Sequence, residues 1–269
     1  MVIRSRRSGA PMRAVPGPTL EGMFVSHESL AGAALQEQSL RGATLLRVSL
    51  REANLTRAVL DECRLCGSDF RGAELAGASI RRADLDDCSL WGACLIGADL
   101  EDARLDGAIA TDALFLRARL VGVRAELAIF TDASFRSADL SRAYLTGAGL
   151  RRAVFRGATL EAAVLAEADL RGADLARAIL RSADLTDCDL RGACLSGADL
   201  RGAALLGADF RSAVCDELTR WPDSFDPVRA GVRRLVHAPF TDEGIICCES
   251  PEGRSPAMLS GEALPFGSG

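Results

Sequence analysis

Residues 171–195 read RGADL-ARAIL-RSADL-TDCDL-RGACL, with leucine at every fifth position and alanine or cysteine two residues before it. The spacing continues in both directions, and from Leu20 to Phe210 nearly every residue whose number ends in 0 or 5 is Leu, Phe or Ile. Self-similarity at a fixed short period is typical of repeat proteins, in which each unit packs against its neighbours. This period decides which backbone the chain can adopt.

A period of five fits neither an α-helix nor a flat strand. Five helical residues rotate the apolar position by roughly 140°, so the leucines would form no stripe. In a strand, an odd period sends successive leucines to opposite faces. A short extended piece followed by a bend satisfies both constraints, and glycine recurs where the bends are expected, as at Gly42 and Gly172.

The tandem A-x-L-x-x unit, as in Ala83-Asp84-Leu85-Asp86-Asp87, resembles the pentapeptide-repeat proteins. About 40 such units lie between residues 18 and 217. The resemblance implies an all-β fold: a right-handed quadrilateral parallel β-helix of about ten coils, with four units per coil and leucine and alanine stacked inside.

The chain is predicted to comprise four segments. These are an irregular basic N-terminal arm (1–17), the β-helix (18–217), a Trp-Pro cap with a short helix (218–238), and an irregular C-terminal tail (239–269). A C-terminal cap is expected because the last coil would otherwise expose leucines and strand edges.

Aromatic residues after the last repeat are predicted to form that cap. Trp221, Pro222 and Phe225 supply bulk that the repeats lack. Asp226-Pro227 reads as the start of a helix that runs to about His237. Its apolar face either packs on the end of the rod or mediates a homodimer.

Composition argues for a cytoplasmic protein without metal. The formal net charge is −5, and all 32 basic residues are arginine. The N-terminus carries no apolar run, so neither a secretory signal nor a membrane span is predicted. Of the nine cysteines, the repeat register places Cys63, Cys88 and Cys188 inward, and Cys66, Cys94 and Cys194 outward. No pair suits chelation, and a reducing compartment follows.

No catalytic constellation is recognisable. His27 and His237 are the two histidines, and neither has an evident nucleophile or metal partner. The glycines belong to the repeat, and a narrow β-helix offers no cavity to shield a reaction. We therefore expect a non-enzymatic protein without a cofactor, which binds another protein through its outer faces. Direct nucleic-acid binding is not expected, because the arginines are interleaved with carboxylates.

One outer face is the most acidic. Some pentapeptide-repeat proteins confer quinolone resistance by engaging DNA gyrase and topoisomerase IV, and their acidic rod is thought to imitate DNA. The resemblance thus implies a DNA-mimicking modulator or protector of a type II topoisomerase, although this chain lacks the loops that the larger quinolone-resistance subgroup inserts between coils. The candidate acidic face comprises Asp84, Asp86, Asp87, Asp106, Glu126, Glu167, Asp184 and Asp187.

The least regular coil suggests a different surface. The central residue of the five-residue unit, elsewhere Leu, Phe or Ile, is alanine at Ala110 and Ala125. Nearby, apolar residues occupy positions of the unit that are elsewhere polar or small. Either these side chains tilt inward to fill the core, or they form an exposed patch for another bacterial protein, as in a regulatory or assembly scaffold. The candidate patch comprises Trp91, Ile109, Leu114, Leu116, Leu127 and Ile129.

Overall fold

The computed structural model describes residues 2–14 and 19–235. Within these ranges no α-helix is present. The described residues therefore contain no helix long and apolar enough to cross a membrane. The strands are β1 (Val2–Ser5), β2 (Pro11–Ala14), β3 (Phe24–Ser26), β4 (Ala33–Ala34), β5 (Thr44–Leu46), β6 (Val214–Cys215) and β7 (Arg233–Arg234).

Isolated parallel bridges join each repeat to the one twenty residues later. They run from Ser29 and Ser49 to Cys194 and Val214 without a break in register. One coil therefore takes four five-residue units, and the chain forms a parallel β-helix. Its handedness and its number of coils stay predictions.

Four columns of central residues define four faces. Face 1 contains Leu90, Ala110, Phe130 and Leu150, and face 2 contains Leu95, Phe115 and Phe135. Face 3 contains Leu100, Leu120 and Leu140, and face 4 contains Leu105, Ala125 and Leu145.

A tight turn separates successive faces. After Leu170, for example, the Ala173 amide donates to the Leu170 carbonyl at 3.0 Å, and Gly172 has a φ of +66°. A positive φ at the third residue of a four-residue turn is the type II pattern, which favours glycine. Many repeats nevertheless place a polar residue there, such as Arg177 with a φ of +58°.

The core is a stack of central residues and of the small residues two positions before them. Near Ala110 and Ala125 the stack becomes aromatic, and Phe135 lies with its ring centroid 4.8 Å from Phe115 and 4.9 Å from Phe155. Phe130 packs edge-on against Phe135 at 5.3 Å. These rings are fully buried. They supply the bulk that the two alanines lack.

The prediction of an irregular N-terminal arm is wrong for the described residues. Strands β1 and β2 form an antiparallel hairpin, and β1 also pairs with β4, so the hairpin covers the first strand edge of face 2. The side chain of Ile3, in β1, is buried in the core. The basic residues have specific partners: Arg6 binds Glu74, Arg7 binds Glu52 and Arg13 binds Glu28. Pairing with those glutamates and with β4 orders the segment.

The predicted helix after Asp226 is also wrong as far as Leu235, the last residue described. Asp226 does accept from the amides of Val228 and Arg229, at 3.0 and 3.2 Å, but the turn does not propagate. The chain instead extends into β7, which pairs in parallel with β6. The open strand edge of β6 offers unpaired backbone groups that a helix could not satisfy. The predicted tail at 239–269 lies outside the described residues.

Candidate functional site

The mid-rod apolar patch comprises Trp91, Ile109, Leu114, Leu116, Leu127 and Ile129, and most of it is exposed. Relative exposures are 72% for Leu127, 53% for Trp91, 45% for Ile109, 42% for Ile129 and 40% for Leu114. Leu116 is half-buried. The patch begins at the corner before face 1, crosses face 1 and face 2, and ends at the next corner.

Within the patch, Ile109 and Ile129 are parallel-bridged neighbours on face 1. The Trp91 indole Nε1 donates to Asp112 Oδ2 at 3.2 Å, which holds the ring at the corner between faces 1 and 2. Sequence reasoning missed Ile96, which is exposed and lies one coil before Leu116. The 20-residue register could have identified it.

The interpretation in which these side chains tilt inward is wrong. Ala110 and Ala125 are fully buried, yet Ile109 and Ile129 remain on the surface. The phenylalanine rings fill the core at this level, so no space is left that would draw the isoleucines inward. The apolar surface is a feature of the outer face and is not a by-product of core packing.

Leu127 is unusual for its position. It occupies the turn position with a φ of +58°, where the other described repeats have glycine, a polar residue or Ala162. A bulky apolar residue is disfavoured there by its backbone conformation and again by its exposure. Gly147 accommodates it one coil later: a Cβ at Gly147 would lie 2.9 Å from Leu127 Cδ2.

The candidate acidic face lies on face 4 and its corner, and arginines interrupt its middle. Arg104 binds Asp86, and Arg124 lies 3.7 Å from Asp106 and 3.5 Å from Glu126. Asp86 and Asp106 also accept from backbone amides of the next coil, at 3.0 and 2.9 Å. These carboxylates therefore join coils and do not form a free negative stripe.

The remaining acidic residues fall into two groups. Asp84 and Asp87 lie before the arginines, whereas Glu167, Asp184 and Asp187 lie after them. None of the five forms an ion pair within residues 2–14 and 19–235. Hydrogen bonds from Thr186 lower the pKa of Asp184.

One thiol lies among these carboxylates. The Cys66 Sγ donates to Asp84 Oδ1 at 3.1 Å, and ligand-type atoms of Cys66, Asp84 and Asp86 lie within 4.8 Å of one another. Burial, and then the neighbouring Asp84, raise the pKa of Cys66 to about 11. A protonated thiol is a hydrogen-bond donor and a poor metal ligand, and the Arg104 guanidinium already neutralises Asp86.

Among the other cysteines whose side the register predicted, one is an exception. Cys63, Cys88 and Cys188 are buried, and burial raises the pKa of each thiol to about 12. Cys194 was expected outside, but it is buried with Val214 and Ala176, where Leu235 covers it. This covering comes from a segment beyond the repeats, which the register alone does not reveal.

Aromatic side chains close the C-terminal end of the β-helix. Trp221 and Phe225 lie 5.7 and 5.3 Å from the Phe210 ring and stack on each other at 5.0 Å. Pro222 accepts from the Phe225 amide at 3.0 Å and shapes this turn. Of the two histidines, His27 is exposed and His237 lies outside the described residues.

The Pentapeptide repeats family model matches eight copies within residues 29–65, 53–92, 93–132, 128–165, 153–192 and 193–214, which together exceed half of the chain. The chain belongs to the pentapeptide-repeat family. Members of this family form β-helices and are typically structural or scaffold proteins, and no catalytic family is indicated. A comparison with curated protein sequences finds no match.

Several solved structures are similar. HetL, involved in heterocyst differentiation regulation in the cyanobacterium Nostoc sp. strain PCC 7120, is 29% identical over 72% of this chain and 86% of its own, with a TM-score of 0.31. QnrB1, a plasmid-mediated fluoroquinolone resistance protein, is 19% identical over 79% and 93%, with a TM-score of 0.45. The Nostoc protein alr5209 is 39% identical over 45% and 84%, with a TM-score of 0.23.

Proposed function

We propose that this pentapeptide-repeat protein is a scaffold that binds another protein through the mid-rod apolar patch. The observation that carries the proposal is Leu127. An exposed leucine at a left-handed turn position improves neither the core nor the turn, so its placement is explained best by contact with a partner. Ile109 and Ile129 extend the same apolar surface next to it.

Site-specific photo-crosslinking tests this function. A photoreactive phenylalanine analogue replaces Leu127 in the full chain, in the cells that naturally produce it. The matched control carries the analogue at Ala162, which has the same turn conformation and is exposed at another corner. We expect a discrete protein adduct from position 127 that disappears when Ile109→Asp and Ile129→Asp are added. No adduct, or the same adducts from both positions, would overturn the proposal.

Modulation of a type II topoisomerase is the second candidate. The observation that favours it is that Asp87, Glu167 and Asp187 lie in one corner column beside face 4 without an ion pair in the part of the chain described. Guanidinium groups of Arg104 and Arg124 lie between the two acidic ends, so any DNA mimicry would be discontinuous.

A gyrase supercoiling and quinolone-cleavage assay at two salt concentrations tests this candidate. Inhibition or protection should fade at high salt, because screening weakens exposed charges. It should be lost in Asp87→Arg/Glu167→Arg/Asp187→Arg and retained in Asp69→Arg, whose carboxylate is paired with Arg71 at 2.6 Å on another face. Absence of an effect at micromolar protein would set this candidate aside.

A further inference from the structure

Three exposed arginines border the mid-rod apolar patch; we call Arg117, Arg136 and Arg151 the arginine rim. Arg117 follows Leu116 in sequence, and its amide donates to the Arg136 carbonyl at 2.9 Å, so the two lie on adjacent coils. Arg151 lies on the coil after Ile129, two residues beyond Gly149, which is bridged to Ile129. None of the three forms an ion pair with a described residue.

Elsewhere on the rod, several arginines in the same register positions have carboxylate partners, although Arg51, which follows a serine by two residues, forms no ion pair with a described residue. Arg171 binds Asp169, two residues earlier, at 2.5 Å. The residue two before Arg151 is Gly149. At the edge of the patch, the arginine of this motif is kept while its carboxylate is missing.

The other two rim arginines show the same pattern. Arg156 binds Asp174, eighteen residues later, at 2.8 Å, but the residue eighteen after Arg136 is Val154.

Arg152 binds Asp132, one coil earlier, at 2.5 Å. The residue one coil before Arg117 is Gly97. Arg117 and Arg136 therefore lack the carboxylate that these registers place beside an arginine. Arg151 has Asp169 eighteen residues later, which it influences electrostatically but with which it forms no ion pair.

We infer that the partner is a protein segment that combines apolar side chains with aspartate or glutamate. The inference rests on the proposed function and adds the chemistry of the partner. Apolar side chains of the segment cover Ile109, Ile129 and Leu127, while its carboxylates pair with the arginine rim. Paired charges at the margin of an apolar contact set orientation and association rate more than total affinity.

A negative charge inside the patch restricts how the partner segment can be oriented on it. Asp112 lies at the corner between faces 1 and 2 and is held by the Trp91 indole. Asp132 beside it is neutralised by Arg152. The carboxylates of the partner should therefore avoid Asp112 itself and approach from Arg117 and Arg136 at the next corner, or from Arg151, two coils further along the same corner.

Selection from a phage-displayed library of random dodecamer peptides tests the inference. The baits are the wild-type chain, the patch variant Ile109→Asp/Ile129→Asp, and the rim variant Arg117→Glu/Arg136→Glu/Arg151→Glu. The matched control Arg47→Glu/Arg64→Glu/Arg142→Glu reverses three exposed arginines on other faces or distant coils. Cooperative unfolding followed by circular dichroism verifies each bait, and Leu127→Asp replaces the patch variant if that one does not fold.

Peptides that bind the wild type and the control but not the patch variant should be enriched in Asp and Glu next to Leu, Ile, Phe or Trp. Their dissociation constants, measured by fluorescence anisotropy, should rise on the order of tenfold on the rim variant and should rise with salt on the wild type.

Other outcomes would overturn the inference in distinguishable ways. If no peptide depends on the patch, both the proposed function and the inference fail. If patch-dependent peptides are neutral or basic and bind the rim variant equally well, the inference alone fails. If a single-stranded oligonucleotide binds in a way that the rim variant abolishes and the patch variant does not, the rim serves nucleic acid instead.

Discussion

Face 1 carries two different surfaces on one backbone. Toward the C-terminus, Arg171, Arg191 and Arg211 form ion pairs with Asp169, Asp189 and Asp209, at 2.5 to 2.6 Å. In the middle of the rod the aspartate column holds isoleucine and glycine at 109, 129 and 149, and the arginine column holds threonine at 111 and 131 before arginine returns at 151. Because both stretches have the same bridges and an equally buried core, the fold does not dictate the outer residues. The apolar surface therefore calls for a reason outside the fold.

The largest effect is expected in the core beneath the patch. Phe135→Ala should lower the free energy of unfolding by about 3–5 kcal/mol, because it leaves a cavity between two stacked rings. Leu190→Ala beneath the ion pairs should cost about 2–5 kcal/mol. Urea unfolding followed by circular dichroism measures both. If Phe135→Ala lowers the free energy of unfolding by less than about 1 kcal/mol, the mid-rod core is loosely packed. The middle and the C-terminal stretch of the rod would then not have equally packed cores.

Moving the ion pair into the patch should have a much smaller effect on stability. Ile129→Asp with Thr131→Arg recreates the arrangement of Asp169 and Arg171, and we expect the free energy of unfolding to change by less than about 1 kcal/mol. The adduct at position 127 should nevertheless disappear. Ile129→Asp alone is the control for the added arginine. A loss above about 2 kcal/mol would show that Ile129 is structural.

Acid should affect the ion-paired stretch more than the patch. The hydrogen bond from Arg211 lowers the pKa of Asp209 from 3.8 to about 2. As the pH falls, Asp209 is therefore protonated in the unfolded chain before it is protonated in the folded chain. The stabilisation that its ion pair with Arg211 gives to the folded state is present above about pH 4 and is lost as the pH falls toward 2. Arg171 and Arg191 likewise lower the pKa values of Asp169 and Asp189.

Asp169→Asn/Asp189→Asn/Asp209→Asn should reduce the fall in Tm between about pH 5 and pH 2.5 by about 1–3 °C. Ile109→Asn/Ile129→Asn is the matched pair on the same face and should leave that fall unchanged. An equal change in both variants, seen by thermal denaturation, would contradict the assignment of the acid sensitivity to the ion pairs.

The smallest effect concerns the turn. Leu127→Gly should raise the free energy of unfolding by up to about 1 kcal/mol, because glycine adopts the left-handed conformation without strain. Ala162 has the same backbone conformation at another corner. Ala162→Gly therefore relieves the same backbone strain while removing only a methyl group. If Leu127→Gly destabilises while Ala162→Gly stabilises, Leu127 packs for the fold and the case for a binding role weakens.

The period of five predicted the strand stack, the inward leucines and the family. It also singled out Ile109, Ile129 and Leu127, but it left open whether their side chains tilt into the core or form an exposed patch. It could not predict that the N-terminal segment forms an ordered hairpin, since Arg6 can pair with Glu74 only after three coils have stacked. Nor could it predict β7, because the local signal at Asp226-Pro227 favours a helix and only the open edge of β6 favours a strand.

By itself, the sequence determined the backbone, because a leucine every five residues can be buried only if the chain turns at the same interval. The tertiary structure alone decided which outer residues are available. Isoleucines at positions 109 and 129 could have turned inward, and only the phenylalanine rings that fill the core keep them outside. Likewise, ion pairs such as Arg152–Asp132 and Arg156–Asp174 form only because the stacked coils bring together residues that are twenty or eighteen apart in sequence.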